Sequence, residues 1–307
     1  MIRQNIIAVM AMTSVLGLAQ DKAPVSMTVS VEATHGKDVP ELKREDVMVF
    51  QGKQRLDVTE WTALKGEHAA LELFVLIDDA SAMSLGTQLT DLREFITAQP
   101  TSTLIGVGFM HNGIADVKQD LTSDHAKAAR ALRLPLGRIA AGTSPYLALS
   151  DLIKKWPTCC VRRELLFISS GADPLGGFGP TNPYLDTAIE QAQRAGVMVY
   201  AIYTPGVGHT GHSFWRENWG QNHLAQLAEE TGGESYMLGF GAPVSFAPYL
   251  RDIAERFTHQ YSVTFLIKAP AKAGLASVRF ATEVPNAEIV AAPRVYVSPE
   301  ARPSSDR

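Results

Sequence analysis

The sequence predicts an α/β protein: a doubly wound, mostly parallel sheet with one antiparallel edge strand, plus a small β-sandwich-like unit assembled from N- and C-terminal strands. Three observations predict it. The run Leu71-Glu72-Leu73-Phe74-Val75-Leu76-Ile77 is almost continuously apolar, as in a strand covered on both faces. After it, strand-like and helix-like segments alternate as far as residue 258. Before and after that stretch only short segments with a period of two occur.

The chain has 307 residues, 46% hydrophobic and 20% charged, which is enough to bury a core without disulfides. Its 28 basic and 32 acidic side chains leave a net charge of -4 with no basic block, which argues against nucleic acid as the ligand. Collagen, coiled coil, disorder and a disulfide scaffold are excluded by composition. Cys159 and Cys160 are adjacent, and a vicinal ring strains the peptide between them, so the fold is not expected to rely on a disulfide.

Residues 1–20 carry Arg3, an apolar run at 6–18 and the small-x-small end Gly17-Leu18-Ala19. That is the layout of a cleavable signal peptide, with cleavage near Ala19 or Gln20; the run is short for a membrane span. A secreted or periplasmic protein with no membrane span after cleavage is expected.

Residues 21–66 read as an N-terminal β segment. Val25, Met27, Val29 and Val31 alternate, and short pieces at 47–50 and 56–58 flank the turn Gln51-Gly52-Lys53. Residues 67–258 form the α/β unit. Helices are expected at 88–98, 123–134, 145–155, 183–195, 221–231 and 246–257, and strands at 104–110, 164–169, 197–203 and 234–238. Asn182 is placed to cap before Pro183, and Gly196 and Gly232-Gly233 to stop their helices. Asn112-Gly113 favours a two-residue hairpin, which makes 114–117 the antiparallel edge strand. Residues 259–299, with strands at 260–268, 276–282 and 289–297, are expected to pair with the N-terminal segment, and 300–307 to form a loose tail.

In an open α/β sheet, ligands bind beyond the carboxyl ends of the strands, which directs attention to the loops after Ile77, at Ala141-Gly142-Thr143 and after Ser169. The first of these reads Asp78-Asp79-Ala80-Ser81-Ala82-Met83. A strand ending in Asp, a loop closing on Met, a later Gly-Thr and a third strand ending in a polar-Gly pair together resemble a von Willebrand factor type A domain, a Rossmann-like fold. Leu227-Ala228-Glu229-Glu230-Thr231-Gly232-Gly233 and residues 38–47 are similar to segments of the exported VWFA-related proteins of Acidobacteria.

The resemblance implies a non-enzymatic module that binds an unknown protein partner. In that family a divalent cation sits in a metal-ion-dependent adhesion site made of Asp-x-Ser-x-Ser, a Thr and an Asp, with one coordination position open to a partner's carboxylate. Here Asp78 matches the first Asp and Thr143 the threonine, Ser170 stands at the third-loop Asp, and Ala80 and Ala82 occupy both serine positions. The degenerate metal set is therefore Asp78, Thr143 and Ser170, with Asp79, Ser81 and Asp173 as helpers. A register starting at Asp79 recovers only Ser81. The set leaves room for no cofactor beyond a weakly held, hydrated Mg2+. The competing reading gives Asp78 a loop-capping role and Thr143 a backbone bond, with metal-free contact at the same rim.

Other motifs carry less. Gly206-Val207-Gly208-His209-Thr210-Gly211 spells a dinucleotide fingerprint, but 213–220 is not expected to open a helix, so it reads as a loop. His209, His212 and His223, with Glu217, fit no ligand spacing and read as solvent-facing. Trp215 and Trp219 either anchor a partner or tuck the loop onto the body. No Gly-x-Ser-x-Gly elbow or Cys-His signature is present, and nothing compels an enzyme. Two other function classes stay open: a secreted hydrolase using rim carboxylate and hydroxyl groups, and a structural envelope component with a vestigial site.

Overall fold

The computed structural model describes residues 22–138, 144–157, 162–207, 213–268 and 270–298. Residues 1–21, Thr143, Cys159, Cys160, His209, His212 and residues 300–307 lie outside the described residues.

The chain opens with β1 (Lys22–Ala33), β2 (Met48–Gln51) and β3 (Gln54–Ala63). The alternating part follows as β4 (Leu71–Asp78), α1 (Leu89–Ala98), β5 (Thr103–His111), β6 (Ile114–Thr122), α2 (His125–Arg130), α3 (Pro145–Lys155), β7 (Arg162–Ser169), α4 (Pro183–Ala195), β8 (Val197–Tyr203), α5 (Phe214–Thr231), β9 (Ser235–Tyr236) and α6 (Ala247–Thr258). It closes with β10 (Gln260–Lys268), β11 (Gly274–Ser277), β12 (Arg279–Ala281), β13 (Ala287–Val290) and β14 (Arg294–Val297).

The central sheet has the order β6-β5-β4-β7-β8-β9, and every pairing is parallel except β5 with β6. The antiparallel edge strand follows from Asn112 and Gly113, both at positive φ as a tight hairpin turn requires. All eight residues of β4 are buried, which explains its unbroken apolar run. Alternate residues serve opposite layers. Leu73, Val75 and Ile77 pack with Leu92, Phe95, Ile253 and Phe257 of α1 and α6. Phe74 and Leu76 pack with Tyr146, Leu149, Ile189 and Leu224 of α3, α4 and α5. Each such side chain contributes about 1.5–3 kcal/mol when fully buried.

Local signals fix several boundaries. Asn182 accepts the Tyr184 and Leu185 amides, Pro183 opens α4, and Gly196 ends it in the left-handed conformation; Gly232 ends α5 the same way. Other boundaries move. α5 begins at Phe214, seven residues before the expected start, so the expectation of no helix over 213–220 is overturned. Gly220, which reads as a break, is where the helix closes on the end of β7: an added Cβ there would lie 2.3 Å from the Ser170 carbonyl oxygen. α2 is shorter than 123–134: Asp124 caps its start by accepting the Lys127 amide, and the helix ends at Arg130. The hairpin strand runs on to Thr122, while 234–238 shrinks to the two residues of β9. The expected strands 276–282 and 289–297 each split in two.

The second sheet has the order β12-β2-β3-β10-β1-β13, beside a β11-β14 pair. β10 lies between β1 and β3, so Phe265 pairs with Val25 on one side and Val58 on the other. Val29, Val49, Val263, Phe265 and Val297 share its core. Among the described residues no helix is long and apolar enough to cross a membrane.

Candidate functional site

At the carboxyl ends of β4 and β7 lies a cleft of about 280 Å3, lined by Asp78, Asp79, His111, Arg138, Ser144 and Ser170 among others. Asp78 is the last residue of β4 and only 7% exposed. Its Oδ1 accepts the Ala80 amide at 2.8 Å and its Oδ2 the Ser169 hydroxyl at 2.7 Å. Burial raises its pKa to about 6; the two hydrogen bonds oppose the rise and the charge of Asp79 adds to it. The Ser169 oxygen in turn accepts the Gly171 amide at 3.0 Å.

Asp79 belongs to a different cluster. Arg133 grips it with two bonds of 2.6 and 2.8 Å, the Leu136 amide adds a third at 3.2 Å, and His111 Nδ1 stands 3.7 Å away. The Arg133 guanidinium also lies 3.7 Å over the Phe109 ring, so it is held from both sides. Asp173 is buried and accepts four donors: Ser144 Oγ at 2.8 Å, Asn182 Nδ2 at 3.0 Å, and the Leu175 and Gly176 amides at 3.0 and 2.9 Å.

Of the residues singled out from sequence, Asp78, Asp79 and Ser170 therefore border one cleft, and Asp173 reaches it through Ser144. Ser170 turns its hydroxyl to its own loop, accepting the Ala172 amide at 3.3 Å. Ser81 is fully buried, with its hydroxyl unpaired and its backbone bridged to Gly206. Sequence reasoning missed Ser169, Ser144, Arg133 and the second bond of Asn182. Ser144 before Pro145 was readable as a helix cap, and it does accept the Leu147 amide. The long-range partner of Asp79 leaves no local signal.

Among the described residues, which leave out Thr143, the donors do not fit a tightly held divalent cation. Mg2+ wants a near-octahedral set of free oxygens. Here Asp173 already accepts four protein donors, Asp79 is neutralised by Arg133, each Asp78 oxygen already accepts one donor, and Ala80 and Ala82 offer methyl groups. Among the described residues no group of three or more His, Cys, Asp or Glu side chains is arranged to hold a metal.

His223 corrects the solvent-facing expectation: it is buried, bonded through Nε2 to the Gly179 carbonyl at 3.0 Å, and burial lowers its pKa. Trp219 lies tilted against it, with ring centroids 6.2 Å apart, whereas Trp215 is 69% exposed and touches Phe214, which touches Phe240. The two tryptophans of α5 thus divide between body and solvent.

Trp215 belongs to a larger pattern. Twelve large hydrophobic side chains are exposed among the described residues, and ten follow the carboxyl ends of the central strands. Met83 follows β4, Ile114 the β5 hairpin, and Leu175 β7. Phe214 and Trp215 follow β8; Leu238, Phe240 and Val244 follow β9. Leu134 and Leu136 join them through the Leu136 bond to Asp79. Only Leu104 and Tyr296 lie elsewhere.

The fold and the cleft define a class: a doubly wound α/β sheet with a cleft at its strand ends and a crown of exposed apolar side chains on the loops at that same end. No family model matches the chain, and no curated protein matches it. Among solved structures it is similar to the conserved hypothetical protein BatB from Bacteroides thetaiotaomicron, at 14% identity over 62% of this chain and 98% of that one, with a TM-score of 0.47. It is also similar to the manganese-loaded TRAP protein of Plasmodium vivax, at 10% identity over 80% and 96%, TM-score 0.43. A third likeness is to the SpRpn10 VWA domain, at 14% identity over 60% and 95%, TM-score 0.39. At such identities and scores, the architecture rests on the strand order itself.

Proposed function

We propose that this chain is an exported protein-binding module of the von Willebrand factor A kind that grips its partner without a metal ion. The observation that carries the reading is the crown: ten of the twelve exposed large hydrophobic side chains lie on loops at one end of the sheet, as a protein interface would have them, and scattered exposure would not concentrate them there. Trp215, its most exposed aromatic, is the anchor, and Trp219 packs on His223 within the same helix. The leader-like pattern of residues 1–20 supports export.

The four donors on Asp173 and the Arg133 pairing of Asp79 support metal-free contact, since a cation there would displace a protein donor. The test is capture of extracellular proteins from the source cells by immobilised wild-type chain, by a Trp215→Ser/Val244→Ser variant and by a Tyr296→Ser control. The reading expects a partner held by wild type and control and lost by the crown variant, with EDTA making no difference. A partner held equally by all three would refute it. Turnover of an ester or peptide substrate that is lost in Ser81→Ala or Asp78→Asn would favour the hydrolase instead.

A further inference from the structure

The two sheets meet at Gln260, the first residue of β10. Both chain crossings between them converge there: β10 follows α6 directly, and just after β3 the Leu64 amide donates to the Gln260 carbonyl at 2.9 Å. The Gln260 side chain is wholly buried and reaches into the central unit. Its Nε2 donates to the Tyr200 hydroxyl of β8 at 3.1 Å, and its Oε1 accepts from Arg162 of β7. Glu164 of β7 lies among the same groups, wholly buried, and neither of its oxygens accepts a hydrogen bond. The Ser30 hydroxyl of β1, beside Tyr200, and Nε of Arg162 are also buried without a partner. Such groups are ordinarily satisfied, and here they gather at the seam.

The surroundings of Glu164 offer it no donor. Arg162, on its own strand, supplies the charge that acts on it, but Nη1 is engaged by the Phe257 carbonyl at 3.0 Å and by Gln260, and Nη2 lies 3.5 Å from the Ala69 carbonyl. β4 places the apolar Leu73 beside it in parallel register. β8 presents the Tyr200 phenol, β10 the Gln260 amide and β1 the Ser30 hydroxyl, while the Phe257 ring of α6 covers Arg162 and Tyr200. Arg256 of α6 and Tyr236 of β9 act on Tyr200, and Arg256 is already tied to Glu32, Glu234 and Asp252. Gln260 could turn its amide to Glu164 only by releasing Tyr200.

We propose that Glu164 is a proton-operated latch between the two sheets: protonated, it keeps the seam closed, and ionised, it admits water at Gln260 and lets the second sheet part from the central one. A carboxylate without a donor is costly away from water, whereas its protonated form is tolerated. Burial raises its pKa from 4.5 to about 7, so the closed seam is fully stabilised below pH 4.5 and loses that stabilisation as pH rises through 7.

The test is alkylation by iodoacetamide of the whole chain carrying Ser30→Cys, a buried position on the second sheet's side of the seam. Labelling at position 30 is read by peptide mass spectrometry, which separates it from Cys159 and Cys160. Rates at pH 5.5 and pH 8 are scaled by those of the urea-unfolded chain. The scaled rate should be at least about tenfold higher at pH 8, because an open seam returns Glu164 to water. It should also exceed that of Ser150→Cys, buried in α3, since parting the seam leaves the central sheet folded. Glu164→Gln added to Ser30→Cys should remove the pH response. Should Ser30→Cys lose its native melting transition, hydrogen exchange of the Leu64 amide against that of Val75 in β4, in the unsubstituted chain and in Glu164→Gln, decides by the same comparisons. No acceleration at pH 8, equal rates at the two positions, or an acceleration that survives Glu164→Gln would overturn the proposal.

Discussion

Ser169 donates its hydroxyl proton to Oδ2 of Asp78 across 2.7 Å, closing the strand-end carboxylate onto the neighbouring strand. With the Ala80 amide on Oδ1, both oxygens are engaged inside the protein. The rim therefore presents Asp78 as an internal brace.

Asp78 has a measurable pH signature. Its pKa rises from 3.8 unfolded to about 6 folded, so the native state binds the proton more tightly. The stability it confers is fully present below pH 3.8 and is lost as pH rises through 6, a swing of about 3 kcal/mol. Asp78→Asn should flatten that slope and gain stability at pH 7.5 relative to wild type. Urea unfolding between pH 4 and 8 checks this; parallel curves for the two proteins would contradict it.

Glu164 should behave the same way at higher pH. It is wholly buried at the start of β7, neither of its oxygens has a hydrogen-bond partner, and burial raises its pKa to about 7, only partly offset by Arg162, Gln260 and Tyr200 nearby. Its stabilisation is present below pH 4.5 and is lost through pH 7. Glu164→Gln is expected to raise stability at pH 8 by about 2–3 kcal/mol and to change little at pH 4, as measured by denaturant midpoints at the two values.

The Asp79 pair should be costly to break from one side. The Asp79 side chain is 3% exposed and that of Arg133 31%. Arg133→Ala leaves a buried charge uncompensated and should destabilise by about 2–4 kcal/mol, somewhat below a fully buried pair because Arg133 keeps contact with water. A double-mutant cycle with Asp79→Leu should recover part of that loss; strict additivity would argue that the two residues do not interact.

Gly220 and Gly171 should tolerate no side chain. A Cβ on Gly171 would meet the Gly220 carbonyl oxygen at 2.2 Å, and Gly171 sits at φ +67°. Gly220→Ala, although a helix-favouring change, should cost about 3 kcal/mol by forcing α5 off the end of β7. Chemical denaturation should show this loss, and none for Ser213→Ala just ahead of the helix.

Sequence signals located β8, β10, α3 and α4 to the residue, because each carries either an apolar run bounded by turn residues or its own cap. The start of α5 was hidden because Gly220 serves a tertiary contact, and local propensity describes only the chain's own turn. Asp78 was readable as an acid at a strand end. Its hydrogen-bond partner Ser169 carries no such signal, because parallel register decides which residue lies beside Asp78 and a shift of one reverses the direction of the side chain. The pairing of Asp79 with Arg133, 54 positions along the chain, leaves no local pattern.

Thermal unfolding in EDTA against excess Mg2+, Mn2+ and Ca2+ tests most directly whether the Asp78 crest is closed on itself. The account predicts the same midpoint in all four conditions. A ligand of the native state present at 100 times its dissociation constant adds about 2.7 kcal/mol, a shift of several degrees, and such a rise abolished by Asp78→Asn would contradict it.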